Sequence, residues 1–190
     1  MVSFSVDEFH IFKHSSQVDL IRRTAYSLFP RNDSAVEMLI NQRRGKTRQI
    51  VNLDELCDVI SSSTSISPVV IDFENYFFSS QVHWMKSARI FMTTHGAGST
   101  NIIFLRPGSI VIEFLPPQFS PPFYRTLSLQ AGVSYYPFHN TTIVNNGCGG
   151  GWHPLLNCNL NISVNLLIMP LNSYDAESIY FDQTKIILVS

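Results

Sequence analysis

Charge is what this sequence is shortest of. Only 14% of its 190 residues are Asp, Glu, Lys or Arg, and the two signs nearly cancel to a formal net charge of -1. A balance of that kind excludes the broad electrostatic footprint of a protein that binds nucleic acid or an anionic membrane. Long apolar runs are missing too: no window approaches the roughly 18 consecutive apolar residues of a membrane span. The opening stretch Met1–His14 carries acidic residues and no clean apolar core, so it does not read as a signal peptide. Internal repeats are absent. No CxxC or His/Cys cluster has zinc spacing, and no Asp-x-Asp pair is present to hold a divalent ion.

What is there is core-forming material. Hydrophobic residues make up 45% of the chain, a globular rather than a disordered composition, and the length suffices for one domain with a real core. The chain has three cysteines. Cys57 falls at helical spacing with Leu53, Leu56 and Ile60 and reads as a buried apolar residue. Cys148 and Cys158 bracket the loop Gly149–Asn157 and read either as a short disulfide or as two loop thiols. Three N-x-S/T sequons begin at Asn32, Asn140 and Asn161. Together with a bridge they point toward a secretory lumen, with the cytoplasm as the alternative.

Periodicity organises the rest. Gln17–Phe29 sets Val18, Ile21, Ala25, Leu28 and Phe29 on one helical face and stops at Pro30. Strands are expected at Val36–Asn41, Val69–Phe73, Arg89–Thr94, Ile110–Leu115 and Ser134–His139. Between them fall helices at Leu53–Ile60, Tyr76–Ala88, a short one within His95–Leu105, and Tyr124–Ala131 closed by Gly132. Strands alternating with helices predict an α/β fold, a Rossmann-like parallel sheet with helices on both faces and ligands outside the strands' carboxyl ends. Thr141–Asn161 reads as a Gly/Asn-rich surface loop, Val164–Met169 as a strand and Ala176–Gln183 as a final helix. The whole is one domain, with a leading helical segment 1–35, a core 36–139 and a closing segment 140–190.

Three stretches carry chemistry. In His95-Gly96-Ala97-Gly98-Ser99-Thr100-Asn101 a strand gives way to a helix through two glycines. That arrangement lets backbone approach a ligand and offers helix N–H groups to a diphosphate. His95 could donate to a phosphate oxygen, with Ser99, Thr100 and Asn101 as further donors; the bland alternative is an ordinary strand-to-helix turn. Asn101 stands where GxGxxG would need its third glycine, which counts against a dehydrogenase domain. Glu113 puts a carboxylate into the apolar strand Ile110–Leu115, either to accept ribose hydroxyls or to face water by alternation. The basic loop after the first strand offers Arg43 and Arg48 for bidentate phosphate contacts, or is simply a solvated charge run.

The string HGAGSTNIIFLRPGSIVIEFLP, preceded by RRGKTRQIVN at 43–52, resembles the signature of glycosyltransferase family 61. The resemblance runs from about Met38 to His139 and includes several elements in the same order. Ser99 stands where that family usually has Leu, Arg89 where it has an acidic residue, and Thr93 where it has Gly. The resemblance implies the C-terminal, donor-binding half of a GT-B enzyme, inverting, with no cofactor and no required metal. Such an enzyme transfers xylose, N-acetylglucosamine or arabinose from a nucleotide sugar, expected to be UDP-linked, to a hydroxyl on a glycan or protein acceptor in the Golgi or endoplasmic reticulum. By the same resemblance Arg43, Arg48, His95, Gly96, Gly98, Thr100, Asn101 and Glu113 are donor-site residues; Ala97 and Ser99 of the same turn are read as donor-binding with them, and His95, set to meet the departing diphosphate, as catalytic. An N-terminal acceptor domain is expected as a further part, so that the chain reads as a fragment or as a relative that keeps only the fold.

Overall fold

Five strands account for the sheet: β1 (Val36–Asn41), β2 (Val69–Ile71), β3 (Ala88–Thr94), β4 (Ile110–Phe114) and β5 (Ser134–Phe138). The computed structural model that shows them describes residues 11–30, 35–45, 47–144, 148 and 153–167. All four pairings are parallel, in the order β2-β1-β3-β4-β5. Nearly continuous apolar runs such as Ile90–Met92 and Ile110–Ile112 are what a sheet covered on both faces demands. The covers are α1 (Ser15–Leu28), α2 (Leu53–Ser63), α3 (Phe78–Ser87), α4 (Phe123–Ala131) and a 3-10 helix over Ala97–Phe104.

Alternation along the strands sorts the core into two layers. Met38, Ile40, Ile90, Met92, Ile112 and Phe114 face Leu56 and Ile60 of α2. Leu39, Phe91 and Val111 face the opposite way, onto Val18 and Ala25 of α1, Val82 and Met85 of α3, Ile102, and Leu127 of α4. Phe91 and Phe114 are fully buried, each worth about 2–3 kcal/mol relative to exposure. Arg22, itself buried, straps α1 down. Its Nε donates to the carbonyl of Ile103 at 2.9 Å and its Nη2 to that of Ala131 at 2.5 Å.

The expected strands and helices of the 36–139 core all occur, with ends displaced by a few residues. The Val69–Phe73 strand stops at Ile71, and Phe73–Asn75 makes a 3-10 turn capped by Asp72, which accepts from the Glu74 N–H. Cys57 is half-buried rather than buried. Two expectations beyond the core fail. Thr141–Asn161 is not wholly loop: β6 (Thr141–Ile143) pairs antiparallel with β7 (Leu160–Ile162), a ladder too short to give a readable period. Residues 164–167, expected as strand, are helical. Val164 and Leu167 are buried three positions apart while Asn165 is exposed, a spacing one helical turn satisfies and a strand does not. The helix expected at Ala176–Gln183 lies outside the described residues, as does Asn32.

One topological feature places the site. The chain runs outward from β1 to β2, then returns across β1 to β3 and continues to β5. The order therefore reverses between β1 and β3, and it is outside the carboxyl ends of such a strand pair that open parallel sheets leave a crevice.

Candidate functional site

Polar side chains interrupt the apolar strands at one level of the sheet. Asn41, Thr93 and Glu113 sit side by side in register on β1, β3 and β4. They are almost or completely buried, so each has to be satisfied internally. Asn41 donates from Nδ2 to the Thr93 hydroxyl at 3.2 Å and accepts from the Phe73 N–H at 3.3 Å. Glu113 is wholly buried. Its Oε1 lies 2.7 Å from His95 Nδ1, and its Oε2 accepts a hydrogen bond from the Tyr135 hydroxyl.

This geometry corrects the expectation for Glu113. Both readings of it required an accessible carboxylate, whether for ribose hydroxyls or for water. The structure instead turns it under the glycine turn, onto His95 and Tyr135. With Nδ1 so engaged, Nε2 is the ring nitrogen of His95 that has no hydrogen-bond partner among the described residues. The ring packs against Tyr124 (centroids 5.0 Å apart) and edge-on to Phe119 (5.3 Å). Burial first, and then the charge of Glu113, push the Tyr124 phenol up to about 12. The same two causes, in the same order, push Tyr135 far above the ordinary tyrosine range.

The two arginines converge on the same turn. A Cβ added to Gly96 would lie 2.9 Å from Nη1 of Arg48 and 3.3 Å from Nη1 of Arg43. Arg43 is held by Glu74, Nη2 to Oε1 at 3.0 Å. Burial and then the neighbouring Arg43 push the Arg48 guanidinium below its usual range. The Nε atoms of both arginines are buried with no acceptor among the described residues. Arg48 also has a left-handed backbone, φ 59°, uncommon for a residue with a long side chain and costing roughly 1 kcal/mol. Its carbonyl is fixed there by the Thr94 hydroxyl at 2.9 Å.

The segment after Arg48 is knitted to β7. Leu160 donates to the Gln49 carbonyl at 2.8 Å, and Val51 donates to the Leu160 carbonyl at 2.9 Å. Asn52 imitates a strand partner: its amide donates to the Ile162 carbonyl and accepts from the Ile162 N–H, both at 2.9 Å. The Asn that ends the arginine-rich element thus anchors it, and β7 in turn stands behind the position of Arg48.

Two other expected donors, Ser99 and Asn101, turn inward, and a third, Thr100, bonds within the turn. Ser99 is buried with no partner for its hydroxyl among the described residues, an apolar environment in keeping with the Leu that the family resemblance expects there. Asn101, nearly buried, donates to Gln81 Oε1 at 2.9 Å, and Gln81 donates to the carbonyls of Phe73 and Tyr76. The Thr100 hydroxyl bonds back to the Ala97 carbonyl at 2.7 Å. Ser99 and Asn101 are thus turned into the fold, while Thr100 stays exposed with its hydroxyl taken up by the turn. Ser99 N–H makes the first helical bond, to Gly96 O at 2.9 Å, so the amides of Ala97 and Gly98 precede the helical ladder. The two glycines differ in purpose. A Cβ on Gly98 would meet Asn41 Nδ2 at 2.9 Å and the Phe73 ring at 3.3 Å, atoms already fixed by packing and hydrogen bonds. Gly98→Ala is therefore expected to cost about 1–3 kcal/mol of stability, while Gly96→Ala displaces only the flexible ends of two arginines and costs less than about 1. Urea unfolding of the two variants side by side checks this; equal losses would refute it.

Sequence reasoning missed Tyr124, Phe119, Tyr135 and His153. His153 packs at a tilt against Phe119 (centroids 4.5 Å apart), and its Nδ1 accepts from the Leu155 N–H at 3.2 Å. It lies inside the segment closed by the Cys148–Cys158 disulfide, which the structure forms. No signal short of the sheet order could have brought these aromatics to His95. Asn140 and Asn161 are exposed. Among the described residues no group of three or more His, Cys, Asp or Glu side chains could hold a metal ion, and no helix is long and apolar enough to cross a membrane.

The fold is an open parallel α/β domain in which the glycine turn and two arginines meet beyond the carboxyl ends of β1 and β3, where the sheet order reverses. The glycosyltransferase 61 family model matches residues 4–112, more than half of the chain, and the chain belongs to that family. The match takes in the arginine loop and the glycine turn and stops one residue before Glu113. A protein O-linked-mannose beta-1,4-N-acetylglucosaminyltransferase 2 of Takifugu rubripes is 31% identical over 112 residues, 55% of this chain and 19% of that protein. An EGF domain-specific O-linked N-acetylglucosamine transferase of Xenopus laevis is 28% identical over 105 residues, 54% of this chain and 20% of the relative. A beta-1,2-xylosyltransferase of Arabidopsis thaliana is 23% identical over 129 residues, 63% and 22% respectively. The matched region spans about a fifth of the length of these relatives.

Proposed function

We propose that this chain is the nucleotide-sugar-binding part of a GT-B glycosyltransferase and takes a UDP-sugar at the Gly96 turn. The observation that carries the reading is the pair of guanidinium groups at Gly96, each with a buried Nε from which no described protein atom accepts. Two like charges side by side favour a dianionic group between them, and a diphosphate meets both forks with charge-assisted bonds. The amides ahead of the 3-10 helix add donors. Glu113 holds Nδ1 of His95, which leaves Nε2 to meet a phosphate oxygen. Glu113 thus acts through His95 and not on a ribose.

In the reaction proposed, an acceptor hydroxyl attacks the anomeric carbon, the bond to the diphosphate breaks with inversion, and the hydroxyl's proton passes to a base supplied with the acceptor domain. The donor groups of the turn meet the charge that grows on the leaving diphosphate. With two guanidiniums present, neutralisation needs no metal. The sugar class is xylose, N-acetylglucosamine or arabinose, the acceptor a glycan or protein hydroxyl supplied with a further domain. The exposed sequons at Asn140 and Asn161 and the disulfide favour a secretory lumen.

Calorimetric titration with UDP in the presence of EDTA tests the reading. Arg48→Ala and Gly96→Ala are each expected to weaken binding by about 1.5–3 kcal/mol, roughly 10- to 150-fold. His95→Ala is expected to weaken it about tenfold, through loss of one donor to the phosphates. Binding that appears only with manganese refutes the metal-free site. NAD binding in place of UDP favours a dehydrogenase domain, and binding of neither by folded protein leaves a relative that has kept the fold alone.

A further inference from the structure

Glu113 has one oxygen on His95 and one on Tyr135, and the second contact is the one no motif accounts for. Tyr135 stands opposite Val111 on the neighbouring strand, one pleat behind Glu113 on the same face of the sheet. A long side chain at that diagonal reaches forward to the carboxylate, and its hydroxyl donates to Oε2. We infer that Tyr135 is a positioning residue for His95, acting through Glu113.

The physical case rests on the last torsion of Glu113. A carboxylate turns in a broad, two-fold well about its terminal bond. A single contact to His95 would leave that torsion soft; a second donor on Oε2 closes it and aims Oε1 at Nδ1. The bond that one ring nitrogen makes decides which nitrogen carries the proton and which way the ring faces. With Nδ1–H committed to Glu113, Nε2 is the nitrogen left for a ligand at the adjacent Gly96, where Arg43 and Arg48 converge. The groups facing this chain of contacts are few. His95 is faced by Glu113 from β4, by Tyr124 from α4, and by Phe119, behind which lies His153. Arg43 and Arg48 stand beside the adjacent Gly96, and Arg125 lies within electrostatic reach of Tyr135. Among these, Tyr135 is the residue that donates to the second oxygen of Glu113.

The inference rests on the reading of His95 as the phosphate-facing group, but its first measurement needs no nucleotide. The chain is labelled with ring-15N histidine, and the His95 signals are assigned by their loss in His95→Gln. Wild type is expected to show a slowly exchanging Nδ1–H and, in the neutral ring, an unprotonated Nε2. In Tyr135→Phe the Nδ1–H should exchange about tenfold faster, the worth of one hydrogen bond, and the neutral tautomers should mix. An unchanged exchange rate and tautomer in a folded variant overturns the inference. Should Tyr135→Phe not fold, biosynthetic 3-fluorotyrosine decides: a stronger phenol donor draws charge from Glu113 and moves the Nδ1–H resonance upfield, and no movement overturns it. Where wild type binds UDP, Tyr135→Phe is expected to lower affinity about tenfold, as loss of a residue that orients a ligating histidine does. Unchanged affinity there would also overturn the role. If wild type does not bind UDP, the proposed function fails while the ring resonances still decide the place of Tyr135.

Discussion

Glu113→Ala is expected to cost about 3–5 kcal/mol of folding free energy, the largest loss of any single substitution at the site. The carboxylate is fully buried, and removing it strands two donors at once, His95 Nδ1 and the Tyr135 hydroxyl. Each would keep its desolvation cost with no partner to offset it. Glu113→Gln keeps the shape and one acceptor oxygen, so its loss should be smaller, about 1–3 kcal/mol. Urea denaturation at neutral pH measures both, and a loss under about 1 kcal/mol for the alanine variant would mean that water reaches the carboxylate after all. The phenols supply an independent check. Tyr124 is raised from 10.0 to about 12, by burial first and then by Glu113, and Tyr135 is raised further for the same reasons. A group whose affinity for its proton is higher in the fold than in the unfolded chain contributes stability that is complete below the unfolded value. That contribution is lost as pH rises toward the folded one. Wild type should therefore lose stability between pH 10 and about 12. In Glu113→Ala the fall should be shallower, because one of the two causes has gone.

The pattern of the chain carried much of this site and then stopped at a definable point. Strand–helix alternation over 36–139 placed all five parallel strands, because a sheet covered on both faces needs apolar runs bounded by turns. It also put His95, Gly96, Arg43 and Arg48 at carboxyl ends, where the topology brings them together. The partner of Glu113 was not legible. Its neighbour across β4 and β5 depends on register, and a slip of one residue would have turned Tyr135 to the other face. Whether a polar side chain serves a ligand or the protein was equally hidden. Thr100 and Asn101 are as polar as any ligand donor, yet here they satisfy the Ala97 carbonyl and Gln81. Polarity in a sequence says that a side chain needs a partner without saying whether that partner is a ligand or the protein itself. β6 and β7 escaped notice for another reason. At three residues each they owe their form to pairing and to Asn52, and not to local preference.

Loss of the Cys148–Cys158 bridge is expected to cost about 2–3 kcal/mol, the loop-closure entropy of so short a span. The cysteines are separated by 10 positions. Cys158 is 1% exposed and packs with Leu160, Ile162 and Leu167 against the sheet, with Cys148 against the same cluster. The bridge therefore closes a loop at the very point where β7 begins, and β7 pairs with Gln49–Asn52 behind Arg48. Reduction should consequently lower overall stability and, beyond that, speed amide exchange at Val51 and Leu160 more than in the middle of β3. Denaturant unfolding with and without reductant gives the first quantity, and hydrogen exchange under native conditions gives the second. Thiol counting in denaturant without reductant supplies the reference state. One free thiol, Cys57, is expected of oxidised protein. In the native fold Cys57 should also alkylate slowly, since burial and then Asp54 and Asp58 push its thiol up. Three free thiols in secreted material would refute the bridge. A bridge whose removal left the exchange at Val51 unchanged would detach β7 from the placing of the arginine loop.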